Sequence, residues 1–403
     1  MTPDVPVPIV VAGIGADGWS GLGAAARAAI EAADVVFGSS RHLGLLPASV
    51  AATRIAWPSP LVPALPGLLE AHRDRTVCVL ASGDPMYHGI GATLVRLVGA
   101  DRLRVLPHPS SVSLAAARLG WPLAAVDVHS LVHAPVAALL PLVNPGRRIL
   151  VLSAGADTPA EVAALLAGRG FGDSSLTVLE QLGGPGERIY TGAAAGWRQP
   201  PADPLNVVAI HCAGPPTPVV PGLPDTLYET DGQLTKREIR AVTLATLAPV
   251  PGELLWDVGA GSGSIAIEWM RSHRCCRAIA IEPVPERAAR IARNAESLGV
   301  PGLRVVAGRA PAALAGLPTP AAVFVGGGVT GDGVLETCLA ALAPGGRLVA
   351  NAVTLESEAV LASWYAKLGG EMTRIAVNRA APVGGFTGWR AMMPVTIWSV
   401  VKR

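Results

Sequence analysis

The sequence predicts an α/β protein of two domains, of which the second has a Rossmann-like sheet. The chain has 403 residues, more than one hydrophobic core usually organises. Short apolar runs alternate with helical patterns in both halves, which indicates sheets covered by helices. Prolines are dense at 213–226 and exclude a helix or a central strand there. We therefore expect a first domain at 1–212, a semi-rigid linker at 213–226 and a second domain at 227–403.

Composition narrows the class of protein. The formal net charge is only +2 and the basic residues are scattered, which argues against a nucleic-acid partner. The five cysteines form no C-x-x-C pair, so we expect no disulfide framework, no metal site and a reducing compartment. Apolar runs end well short of ~18 residues, and the N-terminus lacks a signal-peptide pattern. These features predict a cytoplasmic protein without a membrane partner, and we expect a homo-oligomer whose copy number the sequence does not specify.

The elements of the first half follow from its apolar runs. Buried-strand patterns occur at 9–12, 77–80, 149–152 and 205–210. Alanine-rich helical patterns lie between them, at 22–33 and 112–119 among others. The first half is therefore predicted to be α/β as well.

The second half alternates more regularly. We predict strands at 254–258, 278–282, 303–306, 321–325 and 346–352, with an amphipathic helix at 286–298. This alternation predicts a parallel sheet. The tail differs, because 372–378 and 395–401 are separated by a loop without a helical pattern. We expect these two segments to pair antiparallel and close the sheet edge.

A glycine-rich turn follows the first strand of this second half. Residues 257–263 read D-V-G-A-G-S-G, a helix is predicted to begin near Ser264, and Glu282 ends the next strand. In a doubly wound sheet a nucleoside ribose is held at this place. The predicted cofactor contacts are Gly259, Ala260, Gly261, Ser262, Gly263 and Glu282. A dinucleotide dehydrogenase would carry a third glycine at position 264, so a nicotinamide-dependent oxidoreductase is the weaker alternative.

The tighter glycine spacing resembles the first motif of class I S-adenosylmethionine methyltransferases. Residues 234–240 (L-T-K-R-E-I-R) and 308–314 (G-R-A-P-A-A-L) resemble signatures of the decarboxylating precorrin methyltransferases in that class. The resemblance implies further cofactor contacts from Thr235 and the backbone of Ala310, with Arg309 where an aspartate is usual. It also implies that three basic residues meet the carboxylates of an acidic substrate. These candidate catalytic residues are Lys236, Arg237 and Arg240.

The first half carries a second set of motifs. Residues 82–87 read S-G-D-P-M-Y after a strand, and 110–120 read S-S-V-S-L-A-A-A-R-L-G. With the segments at 13–15, 36–43, 178–183 and 187–189, they resemble the tetrapyrrole methylases, the class III S-adenosylmethionine fold, a two-lobed α/β domain. The resemblance implies cofactor contacts from Gly83, Asp84, Ser110 and Ser111. Gly38 stands where some relatives carry a carboxylate that could act as a base.

Together the two resemblances imply an enzyme that methylates a tetrapyrrole twice, with S-adenosylmethionine as its only cofactor. The implied reaction converts precorrin-6B (precorrin-6Y) to precorrin-8 in aerobic cobalamin biosynthesis. The first half would methylate C-5. The second half would methylate C-15 and remove carbon dioxide from the acetate on ring C. A protein in which only the second half is catalytically active is the other alternative.

Overall fold

The structure is a computed structural model that describes residues 8–219 and 221–403. Residues 1–7 of the predicted first domain, on which the prediction of no signal peptide rests, lie outside the described residues, as does Val220 of the predicted linker. The chain forms two compact units. The first contains residues up to Val136 together with Asn144–Pro215, and the second contains Ala137–Val143 together with Pro216–Arg403.

The first lobe of the first unit is a parallel sheet in the order β3-β2-β4-β1-β5. Its strands are β1 (Ile9–Ile14), β2 (Val35–Gly38), β3 (Thr53–Ala56), β4 (Val77–Ser82) and β5 (Leu103–Leu106). β1 is buried along its whole length, as expected for a parallel strand covered on both faces. The helices of this lobe are α1 (Gly18–Gly21), α2 (Ala24–Glu31), α3 (Ser40–Gly44), α4 (Leu61–Glu70), α5 (Ile90–Val98) and α6 (Ser111–Leu119).

The second lobe of the first unit is a mixed sheet in the order β6-β7-β10-β8-β9. Its strands are β6 (Asp127–Ser130), β7 (Arg148–Leu152), β8 (Ser175–Glu180), β9 (Arg188–Ala193) and β10 (Asn206–His211), with α7 at Thr158–Gly168. The strands and helices predicted for this half are confirmed, and their ends differ by at most two residues.

The second unit contains a sheet in the order β13-β12-β11-β14-β15-β19-β16. Its first five strands are parallel, and β19 runs antiparallel to both neighbours. The strands are β11 (Leu254–Val258), β12 (Arg277–Glu282), β13 (Arg304–Ala307), β14 (Ala322–Val325), β15 (Arg347–Ala352), β16 (Glu371–Ile375) and β19 (Val395–Val401). The helices are α8 (Arg237–Leu247), α9 (Ser264–Ser272), α10 (Pro285–Ser297), α11 (Val334–Ala341) and α12 (Leu355–Leu368). The predicted Rossmann-like sheet is confirmed.

The core of this unit lies on both faces of the sheet. Leu255 of β11 packs into one apolar cluster with Ile267, and its neighbour Trp256 packs into another with Ile279. Alternate side chains of a strand point to opposite faces, so a strand buried on both sides reads as a continuous apolar run. The chain turns outward from β11 toward β12 on one side and β14 on the other, and this reversal leaves a crevice at their carboxyl ends.

The tail of the chain differs from its prediction. The pairing of β16 with β19 is confirmed, but β16 ends at Ile375 rather than 378, and the expected loop is a hairpin. Its strands are β17 (Asn378–Val383) and β18 (Phe386–Ala391), joined at Gly384 and Gly385. The hairpin is mostly exposed, so its strands lack the alternation of apolar and polar residues that identifies a half-buried strand.

The predicted linker divides between the two units, because the chain passes from the first to the second at Pro215 and Pro216. Leu223 and Tyr228 are buried in the apolar core of the second unit. Within the residues described, no helix is both long and apolar enough to span a bilayer.

Candidate active sites

A cavity of about 770 Å³ opens at the carboxyl ends of β11 and β12 in the second unit, and we call it the second cavity. The glycine turn after β11 forms one wall. Gly259 and Gly261 have φ values of +70° and +60°, which side chains rarely adopt. A Cβ atom on Gly259 would lie 2.7 Å from the backbone nitrogen of Gly327. The turn therefore requires glycine, and its backbone lies open to a ligand.

Glu282 lines the second cavity from the end of β12, with only 2 % of its surface exposed. Its Oε2 accepts a hydrogen bond from the backbone N–H of Gly261 at 2.8 Å. Its Oε1 accepts one from Val284 N–H at 3.1 Å. A carboxylate offers about four acceptor positions, so each oxygen retains capacity for a ligand hydroxyl.

Asp257, at the start of the glycine motif, is buried behind the same wall. Its Oδ2 accepts a hydrogen bond from Ala266 N–H at 3.0 Å and so ties β11 to the first turn of α9. Its Oδ1 has no hydrogen-bond partner among the described residues. Burial raises the pKa of Asp257 to about 7, and the charge of Glu282 adds to this effect. The motif at 257–263 had not suggested a separate role for Asp257.

The predicted cofactor contacts of the glycine turn divide into two groups. Gly259, Ala260 and Gly261 line the second cavity, as do Thr235 and Ala310. Ser262 and Gly263 are buried and hold the turn in place, and their contact with a cofactor stays a prediction. Ser262 Oγ donates a hydrogen bond to the Gln233 carbonyl at 2.9 Å, and a Cβ on Gly263 would lie 2.7 Å from Ile291 Cγ2.

The three basic residues predicted to meet substrate also differ in their position relative to the second cavity. Lys236 lines the second cavity at the N-cap position of α8. Arg237, one residue on, is exposed and lies outside the cavity wall. Arg309, which stands where the family pattern has an aspartate, is also part of the wall.

Arg240 requires a correction, because its side chain is fully buried and has no access to substrate. Its Nε donates to Glu268 Oε1 at 2.6 Å, its Nη1 donates to the Thr235 carbonyl at 2.6 Å, and its Nη2 donates to the Leu223 carbonyl. The guanidinium also lies 4.7 Å from the ring centre of Tyr228. Glu268 and Leu223 are 28 and 17 residues from Arg240 in the sequence, so the local pattern could not distinguish this structural role from substrate binding.

A separate cavity of about 400 Å³ lies in the first unit, and we call it the first cavity. Gly83 lines it with φ of +53°, and a Cβ there would lie 3.0 Å from Ser110 Cα. Ser110 and Ser111 line it too, and Ser110 Oγ caps α6 by accepting a hydrogen bond from Ser113 N–H. Asp84 follows Gly83 directly. Its Oδ1 accepts a hydrogen bond from Met86 N–H at 2.9 Å, which stabilises the loop, and its contact with a cofactor stays a prediction.

Three polar side chains meet at another part of the first cavity. Arg41 Nη2 lies 2.8 Å from His42 Nε2 and donates to Ser82 Oγ at 3.0 Å. His42 Nε2 is also 3.0 Å from Ser82 Oγ. Burial, and then the charge of Arg41, lowers the pKa of His42 to about 4. Arg41 and His42 belong to the segment 36–43, whose family resemblance implied no role for either side chain.

Two family models match the chain. Residues 8–196 match the family model described as Tetrapyrrole (Corrin/Porphyrin) Methylases, and residues 226–402 match the one described as Precorrin methyltransferase domain. The chain is 51 % identical over 398 residues to the precorrin-6Y C(5,15)-methyltransferase [decarboxylating] of Sinorhizobium sp, which covers 98 % of this chain and 96 % of the relative. The protein of the same name from Mycobacterium tuberculosis is 49 % identical, with 98 % and 100 % covered.

A solved structure is also similar. It is described as the C-terminal domain of precorrin-6Y C5,15-methyltransferase from Rhodobacter capsulatus. It is 48 % identical and covers 46 % of this chain and 99 % of its own, with a TM-score of 0.44.

Proposed function

The chain belongs to the family of decarboxylating precorrin-6Y C(5,15)-methyltransferases, and we propose that its two cavities divide the two methylations of that family between them. As a member, the chain is an S-adenosylmethionine-dependent C-methyltransferase that acts on a precorrin in cobalamin biosynthesis. The nicotinamide alternative is not supported. Ser264 stands where a dinucleotide-binding turn would need its third glycine, and α9 begins at that serine.

The division of labour is supported by one observation: each unit has its own cavity at the carboxyl ends of parallel strands, with its own obligatory glycine. Gly83 serves the first cavity, and Gly259 and Gly261 serve the second. We assign C-5 methylation to the first cavity. C-15 methylation and decarboxylation belong to the second.

The residues of the second cavity fit the cofactor. When bound, S-adenosylmethionine supplies an electrophilic methyl group on a sulfonium. The two oxygens of Glu282 would accept the hydroxyls of its ribose, and the backbone at Gly259–Gly261 would lie against the nucleoside. Thr235 and the backbone of Ala310 complete this set. A Cβ at Gly259 would clash with the backbone of Gly327, so this position of the cavity wall requires glycine.

The chemistry asks for alignment more than for a strong base. The bridging carbons of a reduced tetrapyrrole are enamine-like nucleophiles, so holding C-15 near the methyl carbon supplies much of the rate. The conjugated ring can accept the electron pair released as carbon dioxide leaves. The substrate carries several carboxylates, and we assign one of them to Lys236, the predicted basic residue that lines the second cavity.

We infer a domain boundary at Pro215–Pro216, with residues 222–228 belonging to the second domain. Leu223 and Tyr228 are buried in its core, and Leu223 N–H donates to Glu268 Oε1 at 3.0 Å. The short segment 137–143 groups with the second unit, although the sequence analysis placed it in the first domain. It lies in a 3-10 turn with an internal proline and has no periodic apolar pattern.

We also infer a cytoplasmic homo-oligomer that binds no nucleic acid. The cysteines are free thiols in the described residues, which suits a reducing compartment. Phe386 and Trp389 of the hairpin are 85 % and 78 % exposed, and large exposed apolar side chains favour an interface between copies.

The proposal is tested by product analysis of the full-length enzyme. Incubation with precorrin-6B and S-adenosylmethionine is expected to give a product that has gained two methyl groups and lost one carbon dioxide. Carbon-13 on the cofactor methyl locates both groups by NMR, at C-5 and C-15. A product with one methyl group would show that only one unit is active, and turnover that requires a nicotinamide would contradict the assignment.

A further inference from the structure

We propose that His42 is the base of the first cavity and accepts the proton that the substrate loses on C-5 methylation. Arg41 gives up its hydrogen bond to His42 when a substrate carboxylate binds to Arg41. The inference rests on the proposed function of the first cavity.

The hydrogen bonds determine which nitrogen of His42 carries the lone pair that can accept a proton. A guanidinium can only donate, so the 2.8 Å contact from Arg41 Nη2 makes His42 Nε2 the acceptor. The proton of the neutral imidazole is then on Nδ1, which is buried and has no hydrogen-bond partner among the described residues. The lone pair on Nε2 lies with Arg41 and Ser82 at the cavity wall.

The surroundings hold His42 neutral until substrate arrives. His42 is only 7 % exposed, and Arg41 places a positive charge against it. The residue thus keeps its lone pair across the physiological range. A carboxylate of the substrate would pair with Arg41 in the bidentate geometry that arginine favours. That pairing neutralises the nearby charge, frees the Nε2 lone pair and raises the basicity of the ring.

Among the described residues, the other charged and titratable groups near His42 lie on the strands that α3 contacts and along the wall of the first cavity. α3 packs against β2, β3 and β4. β2 carries none. On β3, Arg54 is bound to the carbonyls of Leu43 and Leu46. On β4, burial raises the pKa of Cys78 to about 12, so it stays a neutral thiol, and Ser82 offers a hydroxyl. Asp203 acts on Arg41 through its charge, and Tyr87 and His88 line the same cavity.

The step balances as follows. The C-5 carbon forms a bond to the methyl carbon, the carbon–sulfur bond breaks, and its electron pair stays on sulfur, giving neutral S-adenosylhomocysteine. The macrocycle now carries the positive charge and loses one proton to His42 Nε2. Ser82 Oγ, 3.0 Å away, accepts a hydrogen bond from the new N–H. The imidazolium then returns its proton to water.

The test uses the full-length enzyme with the decarboxylated, singly methylated intermediate as substrate. His42→Gln keeps an acceptor for Arg41 but cannot take up a proton. We expect C-5 methylation in a single turnover to fall by about 100-fold or more, in the range of general-base catalysis. Cofactor affinity, C-15 methylation and decarboxylation should be unchanged. His133→Gln, at an exposed position, is the matched control.

A pH profile separates a base from a structural residue. Burial and the charge of Arg41 both lower the pKa of His42, and Arg41→Gln removes the second of these causes. The acid limb of kcat/KM for C-5 methylation should therefore move to higher pH, while KM rises. A His42→Gln enzyme within threefold of wild type overturns the proposal, and so does an acid limb that Arg41→Gln leaves in place. If His42→Gln fails to fold, the pH profile of Arg41→Gln alone tests the proposal. Absence of C-5 product from the wild type would instead contradict the proposed function.

Discussion

The backbone N–H of Gly261 donates a 2.8 Å hydrogen bond to Glu282 Oε2, so the glycine turn after β11 and the carboxylate at the end of β12 hold each other in place. A second N–H, from Val284, fixes the other oxygen. The carboxylate is thus oriented before any ligand binds, and little conformational freedom remains to be lost on binding.

Glu282→Ala is expected to weaken cofactor binding in the second cavity by about 1.5–3 kcal/mol, the range for hydrogen bonds to charged groups. The measurement is KM for S-adenosylmethionine in C-15 methylation. The C-5 reaction of the same enzyme is the internal control and should keep its KM. Equal KM values for the variant and the wild type in C-15 methylation would contradict the assignment of Glu282.

Arg240 and Glu268 form a buried ion pair with Nε and Oε1 at 2.6 Å. Arg240→Ala leaves the Glu268 carboxylate buried without its charged partner, and we expect a loss of about 3–5 kcal/mol of unfolding free energy. The loss is measured by denaturant titration, with the transition of the second unit resolved from that of the first. Arg237→Ala, at the exposed first residue of the same helix, should stay within about 0.5 kcal/mol of wild type. If Arg240→Ala lost little unfolding free energy but changed the affinity for substrate, Arg240 would be a substrate-binding residue after all.

Asp257 should make stability depend on pH. Its pKa in the folded protein is about 7, above its ordinary value of 3.8, so the folded state binds the proton more tightly than the unfolded state. The stabilising contribution is present below pH 4 and is lost as pH rises toward 7. Between these values the unfolding free energy of wild type should fall relative to Asp257→Asn by about 1.4 kcal/mol per pH unit. Denaturant titrations at several pH values test this, and parallel pH curves for the two proteins would refute it.

The sheet of the second unit was predicted well because the sequence pattern of each strand is local. Leu254–Val258 is an apolar run followed at once by glycines, and both features act within a few residues. The roles of Arg240 and Ser262 could not be found this way. Their side chains bond to Glu268 and to the Gln233 carbonyl, which only the folded chain brings near. The role of His42 could not be found from the sequence either, because its contact with Ser82 joins α3 to the end of β4.

The division of labour can be tested with a matched pair of substitutions. Gly83 and Gly261 both have positive φ and both line a cavity, the first and the second respectively. An arginine at either position would fill its own cavity. Gly261→Arg should neither decarboxylate nor methylate C-15. Gly83→Arg should still release a decarboxylated product with one methyl group, at C-15.

Mass spectrometry of the product distinguishes these outcomes, and circular dichroism verifies that both variants fold. Because C-5 methylation can depend on the product of the other cavity, loss of both methylations in Gly261→Arg is compatible with the assignment. Gly83→Arg is therefore the decisive variant, since its substrate is the starting precorrin. A doubly methylated product from folded Gly83→Arg would show that C-5 methylation does not take place in the first cavity.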